Sequence, residues 1–216
     1  MPARSPDPPR LPPALEPLVL AALGHHDDHA EVAVEGPVLP GVHANAVVFS
    51  GATLAEADLS GARMDELRLT DVRVERGNLS NLHAPRAALT RAAFAGTRLT
   101  GVTLTDARLT DVSFEGCRID LASFGSARLE RVTFEDCLLA QSDLLGARLD
   151  AVRFHGCDLS GADVREARMR NCELRGCTLE DLEGVASLRG AALEWPDVVA
   201  LAGTWATALG IGVLAD

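Results

Sequence analysis

Apolar residues recur along this chain with a period of five. From Phe49 to Leu179, 27 positions stand five residues apart, and all are Leu, Phe, Met, Ile or Val except Ala84. The residue two places before each is small: 22 of those 27 are Ala, Val or Cys. None of these 54 positions carries Asp, Glu, Arg or His. The other three residues of each unit are mostly polar, charged or Gly, as in ADLSG at 57–61, ARLTD at 107–111 and CDLSG at 157–161.

Neither common period explains this. A helix repeats every 3.6 residues and a strand every two. A strict period of five requires the backbone to return to one inward orientation every five residues. A square coil does that. Each unit is one side, four sides make a 20-residue turn, and successive coils stack at about 4.8 Å, the spacing of hydrogen-bonded strands. The large residue fills the axis and the small one lets the corner close. The 20-residue turn is itself visible. Phe94, Phe114, Phe134 and Phe154 would form one core stack, and Leu59, Leu79, Leu99, Ile119, Leu139, Leu159 and Leu179 another. Cys117, Cys137, Cys157 and Cys177 repeat at the same step, and all six Phe and all five Cys fall on inward positions.

The units ADLSG, SDLLG (142–146), CDLSG and ADVRE (162–166) resemble the loose A-(D/N)-L-x-x motif of the pentapeptide-repeat protein family. The resemblance covers about residues 47–181. It implies an all-β solenoid, a right-handed quadrilateral parallel β-helix. The consensus Asp/Asn before the central Leu is often Arg here, as at Arg108, Arg128 and Arg148. The resemblance extends at fold level to the quinolone-resistance members. These are DNA mimics that occupy the DNA-binding saddle of gyrase or topoisomerase IV, and they dimerise through C-terminal helices. It therefore implies a non-catalytic protein-binding rod with a type II topoisomerase as its most specific partner.

The ends are expected to differ from the coil. Residues 1–13 hold six prolines and read as a disordered tail. Ala14–Leu23 reads as a short helix folding over the coil end. Together with the His/Asp loop and an irregular first coil through Val34, Leu39 and Ala44, it makes up residues 14–46. Arg4 and Arg10 before the apolar Leu18–Leu23 loosely imitate an export signal. Pro12, Pro13, Glu16 and Pro17 interrupt it and no small-residue cleavage site follows, so a cytoplasmic location is expected. The solenoid is expected over residues 47–193. Past Leu179 the frame slips near Glu183-Gly184, and Leu188 and Leu193 resume it one residue early. Trp195-Pro196-Asp197 ends the coil. Residues 194–216 then hold a helix over Val198–Leu209 and a tail. Val198, Leu201, Ala202, Trp205 and Leu209 share one face of that helix, which caps the open coil end or makes a homodimer.

Composition narrows the function. All 20 basic residues are Arg, which removes Lys-dependent phosphate loops and Schiff-base chemistry. The net charge of −11 with 4% aromatics disfavours direct binding of nucleic acid. An unbroken frame leaves no insertion to build a pocket, so no catalytic residue, cofactor or metal site is assigned and the chain is read as not an enzyme. The cysteine column reads as reduced packing thiols. Sulfurs in a straight column about 5 Å apart cannot surround one Zn²⁺. His25-His26-Asp27-Asp28-His29 has metal-binding atoms but lies in a loop without helical spacing.

Function then falls to the outer walls. Over residues 52–181, the wall centred on Leu69, Leu89, Leu109, Leu129, Leu149 and Met169 carries eight Arg and four acids, net +4. The Phe wall is −2, and the Leu59 and Met64 walls are −3 each. The basic spine is Arg68, Arg108, Arg128, Arg148 and Arg168. It is either a receiving surface for an acidic protein partner or a solvated ion-pair ladder with Glu130 and Asp150. A scaffold acting through this face or the C-terminal helix is the alternative to topoisomerase binding. The weakly acidic coil lacks the dense phosphate-like field that DNA mimicry needs.

Overall fold

The chain winds into a parallel β-solenoid of about nine turns in the computed structural model, which describes residues 5–212. The longest strands, Val48–Ala55, Arg68–Glu75, Ala88–Ala95, Arg108–Glu115 and Arg128–Glu135, each cover two adjacent walls around one corner. Each pairs with the next exactly one coil on, as Leu69↔Leu89 and Leu109↔Leu129. The other two walls join through single bridges such as Asp58↔Asn78 and Arg63↔His83.

The five-residue frame packs as its composition requires. The large inward residues meet on the axis, and Phe49, Phe114, Phe124, Phe134, Leu109 and Leu129 are essentially fully buried. Phe94, Phe114, Phe134 and Phe154 stack with ring centroids 4.9, 4.9 and 5.0 Å apart. One coil thus rises by about one strand spacing, and the rings cannot avoid lying face to face. The small residues line the corners, where Ala44, Ala62, Val72, Val112, Val132 and Ala147 are wholly buried.

A second constraint sits on the outside. Every fifth residue from His26 to Asp181 has positive φ, 32 consecutive corners without a gap. Eleven are Gly and 21 are not. On two of the walls the corner is the third residue of a β-turn, closed by bonds such as Ala62 N–H to the Leu59 carbonyl at 3.1 Å. The left-handed conformation strains any residue with a Cβ by about 1–2 kcal/mol. The fold imposes it all the same, because corner N–H groups bond carbonyls of the next coil, as Asn81 N–H does to Thr100 O at 2.8 Å.

Both ends correct the expectations. Ala14–Leu23 is not a helix. Glu16–Leu18 is a strand pairing with Val32–Val34 at an offset of 16 residues, and Leu20 and Leu23 fill the mouth of the coil. The exposed edge of the next coil demands partners, and Glu16 N–H donates to Glu31 O at 2.8 Å, so strand pairing outweighs local apolar spacing. The coil expected to be irregular already keeps the 20-residue register, with Ala33↔Thr53 and Val38↔Asp58. The proline-rich residues 5–13 are not a disordered tail; they lie along the solenoid wall. At the other end the slip has the expected size, with Cys172↔Ala191 and Leu174↔Leu193 paired at an offset of 19. The C-terminal helix starts earlier and is broken. It begins as α1 (Trp195–Ala200), turns at Leu201, and continues as α2 (Ala202–Ala208). Pro196 is harmless in a first helical turn, where its missing N–H has no acceptor. The expected terminal tail beyond residue 212, and residues 1–4, lie outside the described residues.

Two substitutions separate axis from corner. Phe134→Ala, which removes a fully buried ring from the stack, should cost about 3–5 kcal/mol. Leu121 is a left-handed corner that is 57% exposed, so Leu121→Gly should instead stabilise by about 0.5–1 kcal/mol. Chemical denaturation midpoints read both effects.

Candidate protein-binding face

The Leu69 wall positions its basic spine by register alone. Arg68, Ala88, Arg108, Arg128, Arg148 and Arg168 are paired residues in consecutive coils. All five arginines are exposed. Their guanidinium groups make no ion pair or side-chain hydrogen bond among the described residues. The ion-pair ladder proposed from Glu130 and Asp150 is therefore not formed with the spine. Both acids are taken elsewhere: Glu130 pairs with Arg131, and Asp150 with Arg170 at 3.4 Å. These acids stand two residues beyond the spine on each strand, so they reach the far edge of the wall. What remains is a line of unpaired positive charges, one per coil over the last four. A shallow groove of about 290 Å³ runs beside it, lined by Arg128, Glu130, Arg148, Asp150, Arg168 and Arg170.

The far edge of the same wall is chemically different. At the corner positions, Arg91 grips Asp71 through two hydrogen bonds of 2.6 and 2.7 Å, and Arg131 grips Asp111 through two of 2.7 and 2.9 Å. Residues 5–13 rest on this corner. Arg10 N–H donates to Asp71 Oδ1 at 2.9 Å, Asp7 N–H to Asp111 Oδ1 at 3.1 Å, and Arg153 to Ser5 Oγ at 3.0 Å. The five-residue ruler identified the inward positions and was silent on these corner residues. Their signal lay in the frequent Gly, Asp and Asn two places after each large apolar residue.

The remaining candidates disperse. His25 Nδ1 accepts the Asn45 N–H at 3.1 Å, His26 forms a left-handed corner, and His29 stacks on Phe49 at 5.0 Å. Among the described residues no three His, Cys, Asp or Glu groups converge as metal ligands. All five thiols are free. Each donates to backbone carbonyls at the corner it fills, as Cys137 does to Phe114 O at 3.5 Å and Glu135 O at 3.2 Å. Thr97 makes the same pair of bonds, so the column selects small donors as well as small size. Contact with Cys137 and burial hold Cys117 and Cys157 well above the ordinary thiol range. In the cap, Leu201 is buried and Val198 and Trp205 are half-buried, while Leu209 is 75% exposed. No helix among the described residues is long and apolar enough to cross a membrane.

The corner charges set a pH response. The Arg91 guanidinium, helped by the Arg10 N–H, holds the Asp71 carboxyl below its ordinary range, and Arg165 does the same for Asp163. A depressed carboxyl stabilises the fold above its unfolded pKa, about 3.9, and this is lost as pH falls through the lower folded value. The melting midpoint should therefore fall on acidification below about pH 4. Asp197 has the opposite sign. It is buried with Oδ2 unpartnered, and burial and Glu194 push its carboxyl up. Its ionised form opposes folding at neutral pH, so Asp197→Asn should raise the midpoint at pH 7 by about 2 °C.

Comparison with known proteins agrees with this architecture. A pentapeptide repeat region model matches residues 67–142, 87–162 and 107–183, and a model of pentapeptide repeats in eight copies matches residues 45–81. The chain matches no curated protein. Among solved structures it is similar to trypsin-treated QnrB1, a plasmid-mediated fluoroquinolone resistance protein. Identity is 16% over 91% of this chain and 100% of that one, with a TM-score of 0.42. It is also similar to HetL, involved in heterocyst differentiation regulation in the cyanobacterium Nostoc sp. strain PCC 7120. There identity is 20% over 78% of this chain and 90% of that one, with a TM-score of 0.36. The frame of inward residues, the square coil and the family models lead to one conclusion: the chain belongs to the pentapeptide-repeat family.

Proposed function

We propose that this protein is a non-catalytic binding rod, acting in the reducing cytoplasm, whose Leu69 wall receives an acidic segment of a partner protein. The observation that carries this reading is the line of unpaired guanidinium groups at Arg108, Arg128, Arg148 and Arg168. Like charges stacked directly opposite one another across paired strands destabilise a sheet, and among the described residues no acid pairs with these. An extended acidic segment lying along the stack would meet one guanidinium per coil, each offering a forked pair of donors to a carboxylate. Arg supplies that geometry where Lys would supply only a point charge.

A second reading, binding of a type II topoisomerase as a mimic of duplex DNA, has support of its own. The protein is a rod with a net charge of −11, and its other three walls are acidic. Yet the basic wall breaks the all-round negative field that a duplex presents. A homodimer through the C-terminal segment is a further proposal on this reading. It would use the outward Leu209, whereas Val198, Leu201 and Trp205 serve the cap.

A labelled octa-glutamate peptide should bind the wild-type chain, and its affinity should fall steeply with salt. The triple variant Arg128→Glu/Arg148→Glu/Arg168→Glu should lose at least about tenfold in affinity, roughly one pair's worth of charge-assisted bonding. Equal binding by wild type and variant removes the Arg wall from consideration. In a gyrase supercoiling assay with and without ciprofloxacin, micromolar protein should neither inhibit nor protect; either effect would establish the topoisomerase reading instead.

A further inference from the structure

The corner between the Leu69 wall and the Phe94 wall carries Gly51, Asp71, Arg91, Asp111, Arg131 and Ala151 in successive coils, each with positive φ. Acid and base alternate, so a carboxylate recurs at every second coil. With coils about 4.8 Å apart, that repeat is about 9.6 Å. A polyproline II helix has three residues per turn and rises about 3.1 Å per residue, a repeat of about 9.3 Å. The two repeats match.

Residues 5–13, SPDPPRLPP, are seated on this corner. Proline fixes φ near that of polyproline II and forces the residue before it to be extended. Burial follows a period of three. Pro6, Pro9 and Pro12 are half-buried against the wall, together with Asp7 and Leu11, and Ser5, Pro8, Arg10 and Pro13 are exposed. The N–H groups that follow the first two inward prolines, on Asp7 and Arg10, donate to Asp111 and Asp71. The donors are three residues apart and the acceptors two coils apart. After Pro12 comes Pro13, which has no N–H, so the third inward proline is followed by no such bond, although the corner two coils on from Asp71 is Glu31. A Cβ on Gly51 would stand 3.3 Å from Pro12 Cδ, so the bare corner makes room for the ring. From Pro12 to Ser5 the segment spans about 22 Å as polyproline II, against about 24 Å for the five coils from the Gly51 corner to the coil of Arg153. Oδ1 of each Asp also accepts from the Nε of its Arg, so the acceptors are held in place.

We propose that this corner is a docking rail for polyproline II segments of the form PxxPxxP carrying a free N–H after each of the first two inward prolines. The chain's own N-terminal segment holds the rail in cis, and the same sequence offered in trans competes for it. The rail is distinct from the Arg spine at the opposite edge of the wall.

The full chain and a fluorescein-labelled peptide of residues 5–13 test this. In Asp7→Pro/Arg10→Pro the strap loses both donors while the rail is intact, so this chain should bind the peptide at least about tenfold more tightly than wild type, whose tethered strap competes at millimolar effective concentration. In Asp71→Gly/Asp111→Gly the corners keep their turn, as Gly61 and Gly101 do, but lose both carboxylates. That chain should bind the peptide no better than wild type. Trypsin should cut Arg10–Leu11 in wild type at least about tenfold more slowly than in the free peptide, since a seated segment must open first, and the double Gly variant should erase most of that protection. Peptide binding by Asp7→Pro/Arg10→Pro no tighter than by wild type overturns the proposal. So does cleavage of wild type as fast as of the free peptide, a result that depends on no variant's folding.

Discussion

The structure depends on a backbone that turns left-handed once every five residues. That turn makes the side chain two places earlier point inward in every unit, and four turns close a square. The corner, not the apolar pair, is where the chain is most constrained. An apolar pair tolerates Leu for Phe or Cys for Ala, because it asks only for volume. The corner asks for a conformation that L-residues resist, and 21 of its 32 occupants carry a Cβ. They are held there by stacking, as where the corner N–H groups of Glu56, Asn81 and Leu121 donate to carbonyls of the next coil. Cooperative stacking thus carries a strain that no isolated turn would bear.

Exact repetition also governs the surface. A residue type repeated every 20 positions becomes a column with a spacing of one strand. Apolar columns become stacked rings on the axis. Polar columns become linear arrays, and their character depends on what else repeats. At the corner the sequence alternates Asp and Arg, so each charge meets its opposite one coil away and the column is internally neutral. At the spine Arg follows Arg, and the nearest acids are engaged with other arginines. Two columns on one wall therefore end with opposite properties, one satisfied and one seeking a partner.

This also marks how far the residues could be read before folding. The inward frame, the 20-residue columns and the one-residue slip before Leu188 all follow from volume and periodicity, which are written directly in residue type. The Arg spine was legible as a column but not as unpaired, because pairing depends on which edge of a strand each acid occupies. Glu130 and Asp150 are adjacent to the spine in sequence but belong to the far edge. The N-terminal segments differ from their local pattern for one reason: the conformation of Ala14–Leu23 and of the prolines before it is imposed by surfaces outside them. The open edge of Val32–Val34 recruits Glu16–Leu18, and the carboxylates of Asp71 and Asp111 recruit residues more than sixty positions away.

The walls of this solenoid offer only shallow grooves, so specificity comes from matching one period to another. A globular ligand touches too few rungs of any column to gain much from it. An extended chain touches many, and gains only if its own rise is commensurate with the coil. The polyproline strap meets this condition at two coils per turn, with its two donors in step with two carboxylates. From Arg108 to Arg168 the Arg spine repeats at every coil, and its long side chains relax the match, so it suits a flexible anionic segment more than a rigid one. Charge identity selects the sign of the partner, and the column period selects its conformation; in this fold both are set by which residue returns after twenty.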